Sequence, residues 1–334
     1  MLMRTRLIFL SISLLAVLLA CSLFGQSSSS PSPIVATMVA STLTAYANPL
    51  MPAAGPGQPA PAAPTDTPLS GVPGNTPAQA DPIPQPAGQV SVLLMGSDQR
   101  PGAQDFRTDT LVLIVIKPNG SVSLVSFPRD LWVYLPGKFM ERINTAQEYG
   151  GFALVKSTFQ YNFGFTPQSY VLTNFNGFQA IIETLGGIDV QVGQSLSDAR
   201  PGYPNGYTVH PGLVHMDSDT ALWYIRARKT TSDLDRLRRN QEVILAIGKK
   251  LISLNALTHI PQLYTGFRNA IVTDLTLQNV ISLLPLLQQV NANQVQRYAI
   301  SYDQVTSFVT AGGADVLLPK PEAIRQVLAQ ALGE

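Results

Sequence analysis

Residues 90–130 read VSVLLMGSDQRPGAQDFRTDTLVLIVIKPNGSVSLVSFPRD, and the fold class turns on how this stretch divides. Residues 90–95 are a short apolar run ended by Gly96, and 110–117 are a second. Residues 121–127 return as a third, alternating polar with apolar. Runs of this length, bounded by glycine and proline, predict buried strands. Pro118-Asn119-Gly120 is a turn signal, so the second and third strands form a hairpin. That hairpin sets Arg107 and Asp109 near Arg129 and Asp130. If the first strand pairs parallel to the third, Ser97 and Asp98 reach the same edge. Open α/β sheets keep their ligands there.

Downstream, residues 144–149 and 152–163 predict helical segments, with Leu154, Val155, Phe159 and Phe163 on the apolar positions. Asn174 or Asn176 caps a helix carrying Phe178, Ile181, Ile182 and Leu185, stopped by Gly186-Gly187. Residues 188–192 alternate as a strand, 202–212 are expected as a surface loop, and 217–225 are helical. Beyond Leu251 come short helices, a strand near 297–300 and a final helix opened by Pro321. One α/β domain over residues 89–334 accounts for all of this.

Ahead of it, Arg4 and Arg6 precede an apolar run over 7–20, so residues 1–25 read as an export segment. Leu18-Leu19-Ala20-Cys21 resembles a lipoprotein cleavage box that would leave Cys21 lipidated. An uncleaved transmembrane anchor is the alternative. Either way the remainder is expected on the outer side of the cytoplasmic membrane. Residues 26–88 are rich in Ser, Pro, Ala, Gly and Thr and read as a linker. Cys21 is the single cysteine, so disulfides and thiol chemistry are absent from the domain. A net charge of +1 gives no global field for nucleic acid, so any anion site must be local.

The local concentration is at residues 221–247, ALWYIRARKTTSDLDRLRRNQEVILAI. Arg226 and Arg228, two apart, point to one side of an extended segment. Asp233 or Asp235 can cap the helix that follows, on which Arg236, Asn240, Val243, Ile247 and Leu251 share a row. An arginine heading such a stripe needs an anion, and the helix start adds partial positive charge. A plain alternative is arginines paired with Asp233 and Asp235 to hold the fold. Asp98 and Asp109 could share a hard divalent cation, and Arg107, Arg129, Arg226, Arg228 and Arg236 could clamp phosphates. No nucleophile elbow or Walker loop is present, and His210, His215 and His259 lack zinc-site spacing. A diphosphate carried on a lipid is the natural ligand for such a site outside the cell.

LLMGSDQR, FRTDTLVLIVI, SFPRDLWVYLPG, RINTAQEYGG, TLGGIDV, ALWYIRAR and DLDRLRRNQ follow one another over about residues 90–250. In this order they resemble the motif set of the LytR-CpsA-Psr family. The resemblance implies a central mixed β-sheet flanked by helices on both faces, with an apolar tunnel for a polyprenyl chain. The helix faces carrying Val155, Phe159, Phe163, Phe178 and Ile182 are the expected tunnel lining, opening near Arg226 and Arg228. It implies a phosphotransferase that moves a glycan phosphate from a polyprenyl diphosphate to a cell-wall acceptor such as peptidoglycan. Magnesium, or manganese in its place, would be held by Asp98 and Asp109. Phosphate contacts fall on Arg107, Arg129, Arg226, Arg228 and Arg236, with Asp233 as their acidic partner. Asn240 stands where the family usually has glutamine, and Arg142 where lysine is frequent. Hydrolysis of the same diphosphate, or binding without turnover, are the rival functions.

Overall fold

The computed structural model describes residues 76–333, apart from 101, 104, 229, 254–259 and 291–294. The expected export segment with Cys21, the linker up to residue 75, and His259 lie outside the described residues.

β1 (Val90–Ser97) pairs antiparallel with β2 (Thr108–Ile116), which pairs antiparallel with β3 (Val122–Phe127). The first strand therefore runs parallel to the third without pairing with it, because β2 occupies the space between them. Asp98 still arrives at the expected edge, since Ser97 is in register with Thr108. A short hairpin, β4 (Trp132–Tyr134) and β5 (Met140–Arg142), leads into α1 (Ala146–Phe163). Its backbone leaves helical geometry at Gly150 and Gly151, where φ reaches 61° at Gly151, so the two expected segments are distinct. β6 (Ser169–Thr173) pairs parallel with β1, and α2 (Phe175–Thr184) starts where Asn174 Oδ1 accepts from Gly177 N at 2.9 Å.

β7 (Ile188–Val192) and β8 (Leu196–Arg200) come next, followed by β9 (Tyr203–Val209) and β10 (Gly212–Met216). The surface loop expected over 202–212 is thus largely strand, with β9 in a hairpin with β8. Its alternating Tyr203, Asn205, Tyr207 and Val209 were hidden by glycine and proline, which an edge strand tolerates. α3 (Ser218–Arg226) and α4 (Asp233–Ser253) carry the arginine stretch. α5 (Ile260–Phe267), β11 (Val272–Thr273), α6 (Leu277–Ser282), α7 (Leu284–Leu287) and β12 (Val295–Ala299) lead to a hairpin, β13 (Val305–Val309) and β14 (Asp315–Pro319), and to α8 (Pro321–Leu332). The central sheet has the order β11-β6-β1-β2-β3-β12 and is mixed, with β6 parallel to β1 and β12 parallel to β3.

Because side chains alternate across a strand, the sheet has two unlike faces. Leu111, Leu113 and Val115 of β2, with Val125 and Phe127 of β3, pack against α1 and α8. Phe127 meets Phe159 edge-on at 5.0 Å and stacks on Phe163 at 5.9 Å. The intervening Ile114, Ile116, Val122 and Leu124 look the other way, toward α4 and α5, into an apolar cavity of about 800 Å³. The expected tunnel lining is corrected by this alternation. Val155, Phe159 and Phe163 are sealed in the core of the first face, and Phe178 and Ile182 belong to a separate core under α2 and α3. None of these five lines the cavity.

The composition of residues 26–88 predicts a linker throughout, yet its last part is docked. Ala80 N donates to Tyr161 O and Ile83 N to Gly164 O, each at 2.8 Å, and Ile83 is buried in the core. Among the described residues, no helix is long and apolar enough to cross a membrane.

Candidate active site

Strand ends and one helix start assemble the site. Arg129, just past β3, is its hub. It contacts Asp109 Oδ2 at 3.0 Å, Asp130 Oδ2 at 3.3 Å and Asp233 Oδ2 at 3.7 Å. Burial lowers its pKa, but Asp109, Asp130 and Asp233 together raise it further, so the net shift is upward. Asp109 Oδ1 accepts from Asn144 Nδ2 at 3.3 Å, so both of its oxygens are held. Arg142 Nε lies 3.1 Å from Asp130 Oδ1, an ion pair without hydrogen-bond alignment, while its Nη2 donates to Asp315 O at 2.8 Å.

Arg236 is the opposite case. It is buried in the first turn of α4, 3.5 Å from Asp233 Oδ1, and its Nε has no hydrogen-bond partner among the described residues. Burial pushes its pKa down, and Arg129 and Arg228 add to this, against a partial offset from Asp233 and Asp109. A guanidinium left under-compensated beside two other cations is stabilised by an anion placed against it. Helix α4 is capped by Ser232, whose Oγ accepts from Asp235 N at 3.1 Å, rather than by either aspartate. This frees Asp233 for Arg129 and Arg236, and Asp235 for Arg238 and Arg239.

Arg226 is the last residue of α3, not part of an extended run, and its guanidinium lies 4.1 Å over the Phe175 ring. Arg228 follows the extended Ala227 and is exposed. Neither has an ion pair among the described residues. Asp98 Oδ1 accepts from Arg107 N at 2.7 Å. The exposed Arg107 guanidinium is close enough to Glu148 to oppose the rise in that carboxyl's pKa, which burial and Asp105 produce. No ion pair joins Arg107 to Arg129's partners among the described residues. The cluster held together by ion pairs is Asp109, Arg129, Asp130, Arg142, Asp233 and Arg236; Asp98, Arg107, Arg226 and Arg228 stand around it.

Two components escape the sequence. Arg239 is wholly buried, paired with Asp235 Oδ2 at 2.9 Å and donating to Tyr224 O and Ala227 O, so it staples the end of α3 to α4. The alternative of arginines that hold the fold is correct for this residue. The hairpin β13–β14 also went unread, although Gly312-Gly313 between two apolar runs was its signal. It is tied to the site by Leu317 N donating to Asp130 O at 2.9 Å.

The sequence profile of the LytR_cpsA_psr family matches residues 69–331. The chain belongs to the LytR-CpsA-Psr family. Among its relatives, a polyisoprenyl-teichoic acid–peptidoglycan teichoic acid transferase TagU of Oceanobacillus iheyensis is 33% identical over 204 residues, 58% of this chain and 62% of that protein. The TagU of Bacillus mycoides is 32% identical over 191 residues, 56% of this chain and 60% of its own length. The chain thus spans about three fifths of these relatives. Among solved structures, B. subtilis TagV superposes with a TM-score of 0.62 at 23% identity, over 73% of this chain and 97% of TagV. TagT bound to LI-WTA gives 0.58 at 22%, over 77% and 97%. These two share the LytR-CpsA-Psr fold with this chain.

Proposed function

We propose that the protein is a cell-envelope phosphotransferase. It moves a glycan phosphate from a polyprenyl diphosphate carrier to a cell-wall acceptor such as a peptidoglycan sugar hydroxyl, on the outer side of the membrane. One observation carries the reading. Along α4, the row Arg236, Asn240, Ile244, Gly248 changes from cation to apolar cavity wall. Along β2, Thr110, Val112, Ile114, Ile116 runs from a hydroxyl to the cavity wall, and Asn240 Nδ2 donates to Thr110 Oγ1 at 3.3 Å. From Arg236 to Gly248 is about 18 Å at ~1.5 Å per residue. A charged head joined to an apolar tail fits this track, whereas a soluble nucleotide leaves the cavity unfilled. The relatives named TagU, whose names specify teichoic acid transfer to peptidoglycan, support the same class.

In this reading the acceptor oxygen attacks the sugar-linked phosphorus, the bond to the bridging oxygen breaks, and polyprenyl phosphate leaves. Arg129 and Arg236, with Arg226, Arg228 and Arg107 from the rim, neutralise the diphosphate oxygens. Asp233 takes the hydroxyl proton, because its oxygens stand 3.7 and 3.5 Å from Arg129 and Arg236, whereas both oxygens of Asp109 are hydrogen-bonded, by Arg129 and Asn144. Asn240, a methylene shorter than the family's usual glutamine, leaves one phosphate contact weaker. Asp98 Oδ2 has no partner among the described residues, and Asp98 and Asp109 leave adjacent strand ends. No cluster of three metal-ligating side chains exists among the described residues. A two-carboxylate set suits magnesium or manganese, which keep waters and share substrate phosphates. Such an ion, when bound, adds charge neutralisation at the diphosphate. Release of polyprenyl phosphate from a glycan-loaded lipid diphosphate tests the function. Release only with peptidoglycan present supports transfer; release in buffer alone means hydrolysis, and none means a binding protein.

A further inference from the structure

A second pocket, walled by the arginine cluster itself, shares no lining residue with the apolar cavity. It has a volume of about 360 Å³, within the range of small-ligand sites. One wall is Arg129, Asp130, Asp233 and Arg236; the other is the hairpin β13–β14 and the turn before it, contributing Tyr302, Phe308 and Val309. Tyr302 is 62% exposed and Val309 59%. Tyr302 and Val309 are thus largely uncovered by the described chain and Phe308 is half-buried, while the backbone edge of β14 is fastened to Asp130 and Arg142.

Phosphoryl transfer is roughly in line, so the nucleophile enters opposite the leaving oxygen. The leaving polyprenyl phosphate points along α4 toward Ile244 and Gly248, which wall the apolar cavity. The pocket lies at the other end of that helix, against Asp233, Leu234, Arg236 and Leu237. Cavity and pocket thus lie against opposite ends of α4, with Arg236 on the pocket side. A sugar ring has C–H faces that lie on aromatic and apolar side chains, and a hydroxyl rim that needs polar partners. The pocket offers both, with Tyr302, Phe308 and the exposed Asp315 on the hairpin wall and Asp233 on the other.

We propose that this hairpin pocket is the acceptor subsite, holding the sugar of the wall glycan whose hydroxyl attacks the phosphorus. The assignment rests on the phosphotransferase reading and sharpens it. Asp233 stands on the pocket wall, where the incoming hydroxyl gives up its proton.

The test measures direct binding of a soluble peptidoglycan-derived oligosaccharide to the full chain in detergent, with and without lipid diphosphate, alongside transfer kinetics. Tyr302→Ala and Phe308→Ala should weaken oligosaccharide binding and raise the acceptor KM about tenfold, with the donor KM held. Arg228→Ala, outside the pocket lining, should do the reverse, raising the donor KM with the acceptor KM held. Tyr302 is exposed, so its variant folds even if the Phe308 variant loosens the hairpin. Parent-like oligosaccharide binding by both aromatic variants overturns the assignment, as does a parent that fails to bind the oligosaccharide with lipid present. A parent that binds the oligosaccharide through these residues but releases no polyprenyl phosphate keeps the subsite and removes the transferase reading instead.

Discussion

Arg228, Arg236 and Arg239 are one residue type within twelve positions of chain, yet they do three different jobs. Arg239 has an aspartate and two carbonyls around it and no exposed surface. Arg239→Ala strands these partners and should destabilise by about 3–5 kcal/mol, read as a clear drop in Tm. Arg228 is exposed and without an ion pair among the described residues. Arg228→Ala should melt with the parent while losing about tenfold to a hundredfold in lipid-diphosphate affinity. Arg236 is buried beside other cations with Nε unsatisfied. Arg236→Met should hold or raise Tm and still weaken binding, the usual trade of stability for a functional site. Equal melting of all three variants would erase the distinction. Spacing alone announced an arginine cluster but could not sort it. The sorting depends on which carbonyls α3 turns toward α4, and that is set by tertiary packing.

Among the elements, α3 offers a clean measure of a cap. Asp217 Oδ1 accepts from Thr220 N at 2.8 Å, and this bonding holds its carboxyl below the usual aspartate range. A lowered native pKa gives stability that is complete above the unfolded value near 3.8 and lost as pH falls through the lower native value. Asp217→Asn should keep the cap while removing that acid-side slope. Asp217→Ala should cost about 0.5–1 kcal/mol, the low end for an exposed cap, measured by denaturant titration at neutral pH and near pH 3. Caps and turns of this kind were legible: Asn174, Pro118-Asn119-Gly120 and Pro321 all act where the sequence put them. The paired strands β8 and β9 were not, since tyrosines spaced by glycine and proline satisfy loop and strand statistics alike. The tunnel lining was misplaced for a related reason. Helix periodicity identifies an apolar face but not whether a sheet or a ligand covers it.

At the scale of the whole molecule, the sheet is a wall between a packed core and a cavity, and two expected outcomes follow. A Cβ added at Gly248 meets nothing within 4 Å. Gly248→Leu should therefore gain about 0.5–1 kcal/mol of helix stability, seen as a higher Tm, while obstructing polyprenyl binding. A higher Tm with unchanged lipid affinity would disconnect the cavity from the substrate. The second concerns where the domain begins. A chain starting at residue 76 keeps Ile83 in the core, whereas one starting at Val90 loses it. The shorter form should be less stable by about 1.5–3 kcal/mol, compared by thermal melts of the two.

The alternation of β2 and β3 reaches beyond stability. Neighbouring residues such as Leu113 and Ile114 answer to different masters, one to the core under α1 and one to the cavity under α4. Across 111–116 and 122–127, substitutions at core-facing positions are filtered by folding, whatever the cell's wall chemistry. Those at cavity-facing positions are filtered by packing against α4 and α7 and by whatever fills the cavity. With the proposed carrier lipid as that occupant, lineages that change its length or saturation retune the half-buried Ile114 first, while Leu113 beside it stays fixed by the scaffold.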